Sequence, residues 1–186
     1  MSRNGDQLSD EEIVKKVRHE NETELFSLLF NRYYAKVLDK CYSLTHNRDL
    51  AEELTGDILS KAYEKLGSYR GNSSFSSWLY SVTYNHCIDY LREKKKLHYP
   101  EWNISNELPE IIDDTYDDET EEITYDILMD LLNRLHTEEK ALIMMRYFDE
   151  MPLQQIAEAL RVTESAAKMR LKRAKARLLF LHKTRR

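Results

Sequence analysis

The sequence predicts an all-α fold: two small helical domains joined by an acidic linker. Three observations carry this. Apolar residues recur at three- and four-residue steps through most of the 186 residues. Only four Gly and three Pro are available to interrupt helices, which leaves little room for a sheet. Between two such periodic blocks, Leu97–Asn133 carries 12 acids and no Lys or Arg. These features place a helical domain at 1–97, a linker at 98–121 and a second helical domain at 122–186.

The helices follow in order. Ser9-Asp10-Glu11-Glu12 has the spacing of a capping box, so a short helix with Ile13, Val14 and Val17 inward should follow. Phe26, Leu29, Phe30, Tyr33, Val37, Cys41 and Leu44 form one apolar stripe of a long second helix. Asn47 can cap a third, in which Leu50, Leu54, Ile58, Ala62 and Leu66 repeat every four residues, with Gly67 as its terminator. After the polar loop Ser68–Ser73, a fourth helix runs from about Ser74 into Lys96, with Phe75, Leu79, Val82 and His86 on one stripe.

The linker holds Pro100, Pro109 and dense carboxylates that repel one another and favour extension. Its 25 residues from Leu97 to Glu121 can reach roughly 80 Å at ~3.3 Å each. Beyond it, Ile127, Leu128, Leu131, Leu132 and Leu135 mark a helix, and Thr137 can cap the next, Glu138 to Phe148. Two more follow, Leu153–Leu160 and Thr163 to about Leu181, parted only by Arg161-Val162.

Charge is unevenly spread. The chain has 28 Lys+Arg against 33 Asp+Glu, a net of −5. After Glu164 no acid appears, while nine Lys and Arg do, which suits a polyanionic partner. The longest apolar run, Ala141–Met145, is five residues, too short to span a bilayer. The first residues lack the apolar core of a secretory signal, so Cys41 and Cys87 are expected to be reduced core thiols of a cytoplasmic protein. No nucleophile–base pair is formed by His86-Cys87, because adjacent helical side chains diverge by about 100°. Neither the two Cys nor the six His have zinc spacing. No catalytic residue, metal, cofactor or small-molecule substrate is therefore expected.

A short helix, a tight turn and a longer basic helix form a helix-turn-helix pattern. Ile156, Ala157, Leu160 and Val162 would make its apolar joint, and Ala157 is small enough for two helices to cross closely. Thr163 would cap the second helix. Glu164, Ser165, Ala167 and Lys168 would then face base edges in the major groove, and Arg170, Lys172 and Arg173 would meet phosphates. On pattern alone, plain packing of an αα-hairpin stays open.

The wider segment Leu135–Leu178, LHTEEKALIMMRYFDEMPLQQIAEALRVTESAAKMRLKRAKARL, resembles domain 4 of bacterial sigma factors. The resemblance lies in Arg146-Tyr147-Phe148, Ile156-Ala157-Glu158-Ala159-Leu160 and the basic Arg173-Ala174-Lys175 end. The first block resembles sigma domain 2. Asp49-Leu50-Ala51-Glu52-Glu53-Leu54-Thr55-Gly56-Asp57 looks like the polymerase-binding segment. Phe75-Ser76-Ser77-Trp78-Leu79-Tyr80, with Asn85-His86-Cys87-Ile88-Asp89-Tyr90-Leu91-Arg92, looks like the promoter-melting helix. Two domains without a large insert are similar to the extracytoplasmic-function group, and the resemblance covers roughly residues 9–181. Gly56 stands where that family usually has Gln, Arg161 where it has a turn Gly, and Pro152 where it has a capping Ser; Pro152 would suit the first turn of the helix that follows.

The resemblance implies a partner of core RNA polymerase. Asp49, Glu52, Glu53 and Asp57, with Leu59 and Tyr63 as apolar contacts, would dock on the β′ clamp coiled coil, and domain 4 would meet the β flap. Trp78, Asn85 and Arg92, spaced by seven on one helix face, would hold the melted −10 strand by stacking, amide hydrogen bonding and phosphate contact. The loop Tyr69–Ser74, with Tyr69, Arg70, Asn72 and Ser74, would border a pocket for an extruded base, and Lys94 and Lys95 would meet the duplex backbone. Thr163–Arg173 would read the −35 element. Promoter DNA and an anti-sigma factor are the other implied partners, without membrane insertion. A stand-alone helix-turn-helix repressor is the rival reading, and it needs neither the Asp49–Asp57 segment nor the constellation around Trp78.

Overall fold

The computed structural model describes residues 8–20, 22–95 and 124–185. The linker expected at 98–121 lies outside these described residues. The chain divides into two compact units, Met1–Lys96 and Leu97–Arg186.

In the first unit, α1 (Asp10–His19) opens with the expected capping box: the Ser9 hydroxyl accepts from the Glu12 amide at 3.2 Å, and the Glu12 carboxylate accepts from the Ser9 amide at 2.7 Å. Ile13, Val14 and Val17 face inward. A 3₁₀ turn, Thr23–Leu25, leads into α2 (Phe26–Thr45), whose buried stripe is Phe26, Leu29, Tyr33, Val37, Cys41 and Leu44, with Phe30 half-buried. The helix stops at His46, which takes a left-handed conformation at φ 52°. Asn47 caps α3 (Arg48–Glu64) through a 3.0 Å bond from the Leu50 amide. Gly67 does not end α3. The helix closes at Lys65, and Gly67 sits inside a 3₁₀ turn, Leu66–Ser68.

α4 (Phe75–Lys95) packs on both α2 and α3. Its buried line is Phe75, Leu79, Thr83, Tyr84, Cys87, Ile88 and Leu91, while Val82 and His86 are only half-buried. The expected stripe was set one step off beyond Leu79. Successive four-residue steps overshoot a helical turn by about 40° each, so a buried line of such steps winds around α4 as its two neighbours change. Thr45, Thr55 and Thr83 are tolerated inside because each hydroxyl donates to the carbonyl four residues back, at 2.8, 2.6 and 2.9 Å. Cys41 and Cys87 are both buried and free, with their sulfurs 3.5 Å apart between α2 and α4.

The second unit begins with α5 (Tyr125–Asn133), capped by Thr124. α6 (Thr137–Ile143) is capped by His136 rather than Thr137: the ring Nδ1 accepts from the Glu138 amide at 3.3 Å, and the Glu139 carboxylate accepts from the His136 amide at 3.2 Å. The helix expected to reach Phe148 changes at Met144 into a wider π-helical turn, Met144–Phe148, closed by the Asp149 amide donating to the Met144 carbonyl at 3.0 Å. α7 (Leu153–Leu160) follows; Pro152 sits at its cap, one position before the first turn. Arg161 adopts the left-handed conformation, φ 54° and ψ 46°, that ordinarily favours glycine, and so makes the tight turn. Thr163 caps α8 (Glu164–Lys183), accepting from the Ala166 amide at 3.1 Å. Leu132, Leu135, Ile143 and Ala174 form a core between α5, α6 and α8, with Leu128, Leu171, Leu178 and Leu181 against it.

Candidate polymerase and nucleic-acid interfaces

Three surfaces gather the residues singled out by sequence. On α3, Asp49, Glu53 and Asp57 stand four residues apart and exposed, with Glu52 beside them paired to Arg48 at 2.8 Å. The four-residue spacing lines carboxylates along one side of a helix. Tyr63 is 42% exposed, its ring tilted against Phe26 at 4.9 Å between centroids. Leu59 is a correction: it is 1% exposed and belongs to the core, because it lies on the side of α3 that carries Thr55, Ile58 and Ala62. An added Cβ at Gly56 would meet no atom within 4 Å, so this acidic side of α3 carries an open notch.

The second surface is α4 with the loop before it. Ser74 is the cap of α4, accepting from the Ser77 amide at 3.2 Å. Arg70 and Asn72 are exposed around Gly71, whose φ of 74° turns the chain. Tyr69 is a second correction. Its ring is 5% exposed and packs edge-on to Phe75 at 5.9 Å, and its hydroxyl donates to the Ser73 carbonyl at 2.6 Å, so it supports the loop from below. Burial and the nearby Glu11 and Asp10 raise the Tyr69 pKa, which keeps that donor protonated. Trp78 is half-buried and rests on Tyr69 and Phe75 at 5.5 and 5.6 Å. Asn85 and Arg92 follow on the same face, both half-buried, with Arg92 3.8 Å from Asp89. Lys94 is exposed; Lys95 ends α4, and its side chain lies outside the described residues.

Beneath this face, Lys61 Nζ lies 3.1 Å from His86 Nδ1. Burial, then Lys61, lowers the His86 pKa, so a neutral ring accepts from the ammonium and joins α3 to α4.

The third surface is the start of α8. Glu164, Ser165, Lys168 and Lys172 are exposed, and Arg173 is half-buried. Ala167 is a third correction: it is fully buried, on the side of α8 turned into its unit. Arg170 is turned partly away from solvent, Nη1 lying 3.4 Å from Glu138 Oε2 on α6.

Sequence reasoning missed some members. Met169, 47% exposed, lies four positions from Ser165 and joins the outward face of α8; that spacing was available as a signal. Lys40 of α2 lies over the Tyr80 ring at 4.1 Å and adds positive charge beside α4. Arg18 and Glu11 of α1 bind the α4 loop from residues far away in the chain, and no local pattern announces that.

Two family models match the chain: Sigma-70 region 2 over residues 29–97 and Sigma-70 region 4 over residues 125–178. The chain belongs to the sigma-70 family. Among its relatives, the RNA polymerase sigma factor YlaC of Bacillus subtilis is 27% identical over 154 residues, 81% of this chain and 87% of that protein. The extracytoplasmic-function sigma factor SigW of the same organism is 24% identical, covering 89% of this chain and 92% of its own.

Solved structures give the same fold. CnrH, in complex with the cytosolic domain of CnrY, matches with a TM-score of 0.60 at 15% identity, over 94% of this chain and 97% of that one. RpoE from Bartonella quintana, in complex with the anti-sigma factor NepR, matches with a TM-score of 0.57 at 19% identity, over 87% of this chain and 98% of that one. In this sigma factor the region 2 match takes in α3 and α4, and the region 4 match takes in the helix-turn-helix of α7 and α8.

Proposed function

We propose that this sigma factor divides its work among the three surfaces: α3 docks on core RNA polymerase, α4 with its loop holds the opened −10 strand, and α8 reads the −35 element. The family consists of transcription factors rather than catalysts, and the reaction belongs to the polymerase. Carrying this reading is the occurrence in one chain of an exposed acidic line on α3 and of a basic helix-turn-helix in a separate unit. A repressor uses the second and has no use for the first.

Each surface has chemistry suited to its task. Asp49, Glu52, Glu53 and Asp57 suit a basic helical partner such as the β′ clamp coiled coil, where opposed charge sets encounter rate and register. Tyr63 supplies an apolar contact beside them. Trp78 presents a ring for stacking, Asn85 an amide and Arg92 a cation, with Arg70 and Asn72 at the loop. On α8, Ser165, Lys168 and Met169 suit base edges and the thymine methyl, and Lys172 and Arg173 suit phosphates. The β flap would receive the second unit, and an anti-sigma factor would compete for these surfaces. No helix among the described residues is long and apolar enough to cross a membrane; the site of action on this reading is the cytoplasm.

Binding to bacterial core polymerase, followed by fluorescence anisotropy, tests the reading. The native chain should bind tightly, and Glu53→Lys with Asp57→Lys should lose that binding while both proteins unfold at similar temperatures. Salt-sensitive binding to duplex DNA without binding to core would favour the repressor.

A further inference from the structure

The region 2 match begins at residue 29, after α1 has ended at His19. Yet α1 grips both ends of the loop that leads into α4. Arg18 Nη1 donates to the Tyr69 carbonyl at 2.6 Å, and Nη2 donates to the Gly67 carbonyl at 3.3 Å. Seven residues earlier, Glu11 Oε1 accepts from the Phe75 amide at 3.2 Å. Seven residues are two helical turns, so the two side chains leave one face of α1 about 10 Å apart.

The charge at each end is the one the backbone there requires. The Leu66–Ser68 turn ends in carbonyls that lack a helical partner, and a guanidinium satisfies them. α4 begins with amides that lack one and with the positive end of its dipole, and a carboxylate satisfies those. The opposite arrangement of charges would place like against like at both ends. Between these two anchors stand Arg70, Gly71 and Asn72, exposed and free of any tie to α1. The buried face of α1, through Ile13, Val14 and Val17, fixes the helix itself to the domain.

We propose that Glu11 and Arg18 are positioning residues for capture of the −10 strand. α1 acts as a rigid spacer that sets the distance between the loop's two ends, and so holds Arg70, Asn72 and Trp78 as one receiving surface. This rests on the reading of the α4 surface given above. A brace serving only stability would show its loss in folding and in every binding activity alike; a spacer shows it in strand capture first.

The test uses core polymerase loaded with the full chain. A pool of single-stranded DNA, randomised at its centre, is passed over the native complex, and the retained sequence becomes the probe. Arg18→Ala should bind that probe roughly tenfold more weakly, the size expected from losing a charge-assisted hydrogen bond. Core affinity should stay within about twofold, and in the free chain the amides of residues 69–74 should exchange faster. Arg18→Lys, which keeps a cationic donor without the two-nitrogen fork, should recover part of the loss, and Glu11→Gln, which keeps an acceptor, should lose less than Glu11→Ala. Equal probe affinity for native and Arg18→Ala overturns the proposal, and so does an equal loss of core affinity. A native complex that binds core but retains no sequence overturns the reading of the α4 surface itself, and that outcome is separate from the other two.

Discussion

Arg170 and Glu138 meet across the second unit, Nη1 to Oε2 at 3.4 Å, with only 3% of the Glu138 side chain exposed. The pair ties the second turn of α8, the helix proposed to read the −35 element, to the first turn of α6. It also gives Arg170 a role different from that of Lys172, two residues on and exposed.

Arg170→Ala should therefore act mainly on stability. Leaving a buried carboxylate with one partner fewer costs about 1–3 kcal/mol, visible as a lower unfolding temperature. Lys172→Ala should leave stability unchanged and reduce the salt dependence of duplex binding by about one charge. Calorimetry and a salt titration on the same two variants separate the roles. A full one-charge change in slope for Arg170→Ala, at native stability, would assign that arginine to phosphate instead.

Lys140 brings a pH dependence. Its side chain is almost wholly covered, with Nζ donating to Asn133 Oδ1 at 2.7 Å, and burial lowers its pKa from 10.5 to about 8. Below pH 8 the group is charged in both folded and unfolded chains, and the cost of burying the charge is fully present. From about 8 to 10.5 the unfolded chain binds more protons, so stability rises with pH; above 10.5 the cost is gone. Lys140→Met should be the more stable protein at pH 7, and the gap should close as pH rises through this window. Urea unfolding of both proteins at pH 7, 9 and 10.5 reads it; a gap that stays constant would remove the buried ammonium as the cause.

Gly56→Ala should stabilise the first unit by about 1 kcal/mol, the usual cost of glycine inside a helix. The added methyl meets no atom within 4 Å, and the backbone there is not left-handed. Thermal unfolding checks the gain. Core affinity should hardly move, since none of the carboxylates proposed to dock on core is altered.

Phe75 and Trp78 should separate packing from strand binding. Phe75 is 1% exposed and contacts the rings of Tyr33, Tyr69 and Trp78. Its replacement by Ala should cost about 3–5 kcal/mol. Trp78→Leu, at a half-buried position, should cost clearly less stability but should abolish stacking on an unpaired base, worth about 1–3 kcal/mol of single-strand affinity. Denaturant curves beside single-strand binding, measured on loaded polymerase, compare the two.

Much of this protein was legible before any coordinates, because the signals involved are local. A capping residue acts within three positions of itself, and Ser9, Asn47 and Thr163 each start the helix their spacing announced. Periodicity picked out Val37 and Ile58, and the helix-turn-helix pattern picked out Ile156; all three lie fully buried. It failed where a helix has two neighbours, as along α4 past Leu79, since which side is inside depends on what packs there. Leu59, Tyr69 and Ala167 were misplaced for that reason: residue type suited a contact surface, but the helix face or the loop had already been enclosed. The left-handed Arg161 and the cap at His136 are also choices of the packed structure, which holds the backbone in conformations that these residue types do not demand.

The helices, their order and the family's motifs are properties of the chain read along its length, since hydrogen bonds within a helix link residues four apart. The surfaces are properties of the folded unit. Arg18 and the Tyr69 carbonyl are 51 residues apart in sequence, and Glu11 and the Phe75 amide 64. No pattern in a window of a few turns relates them. They meet because buried Ile13, Val14 and Val17 press α1 into the domain, and once apolar burial has set that helix in place, its charged face can only close on the backbone ends lying beneath it.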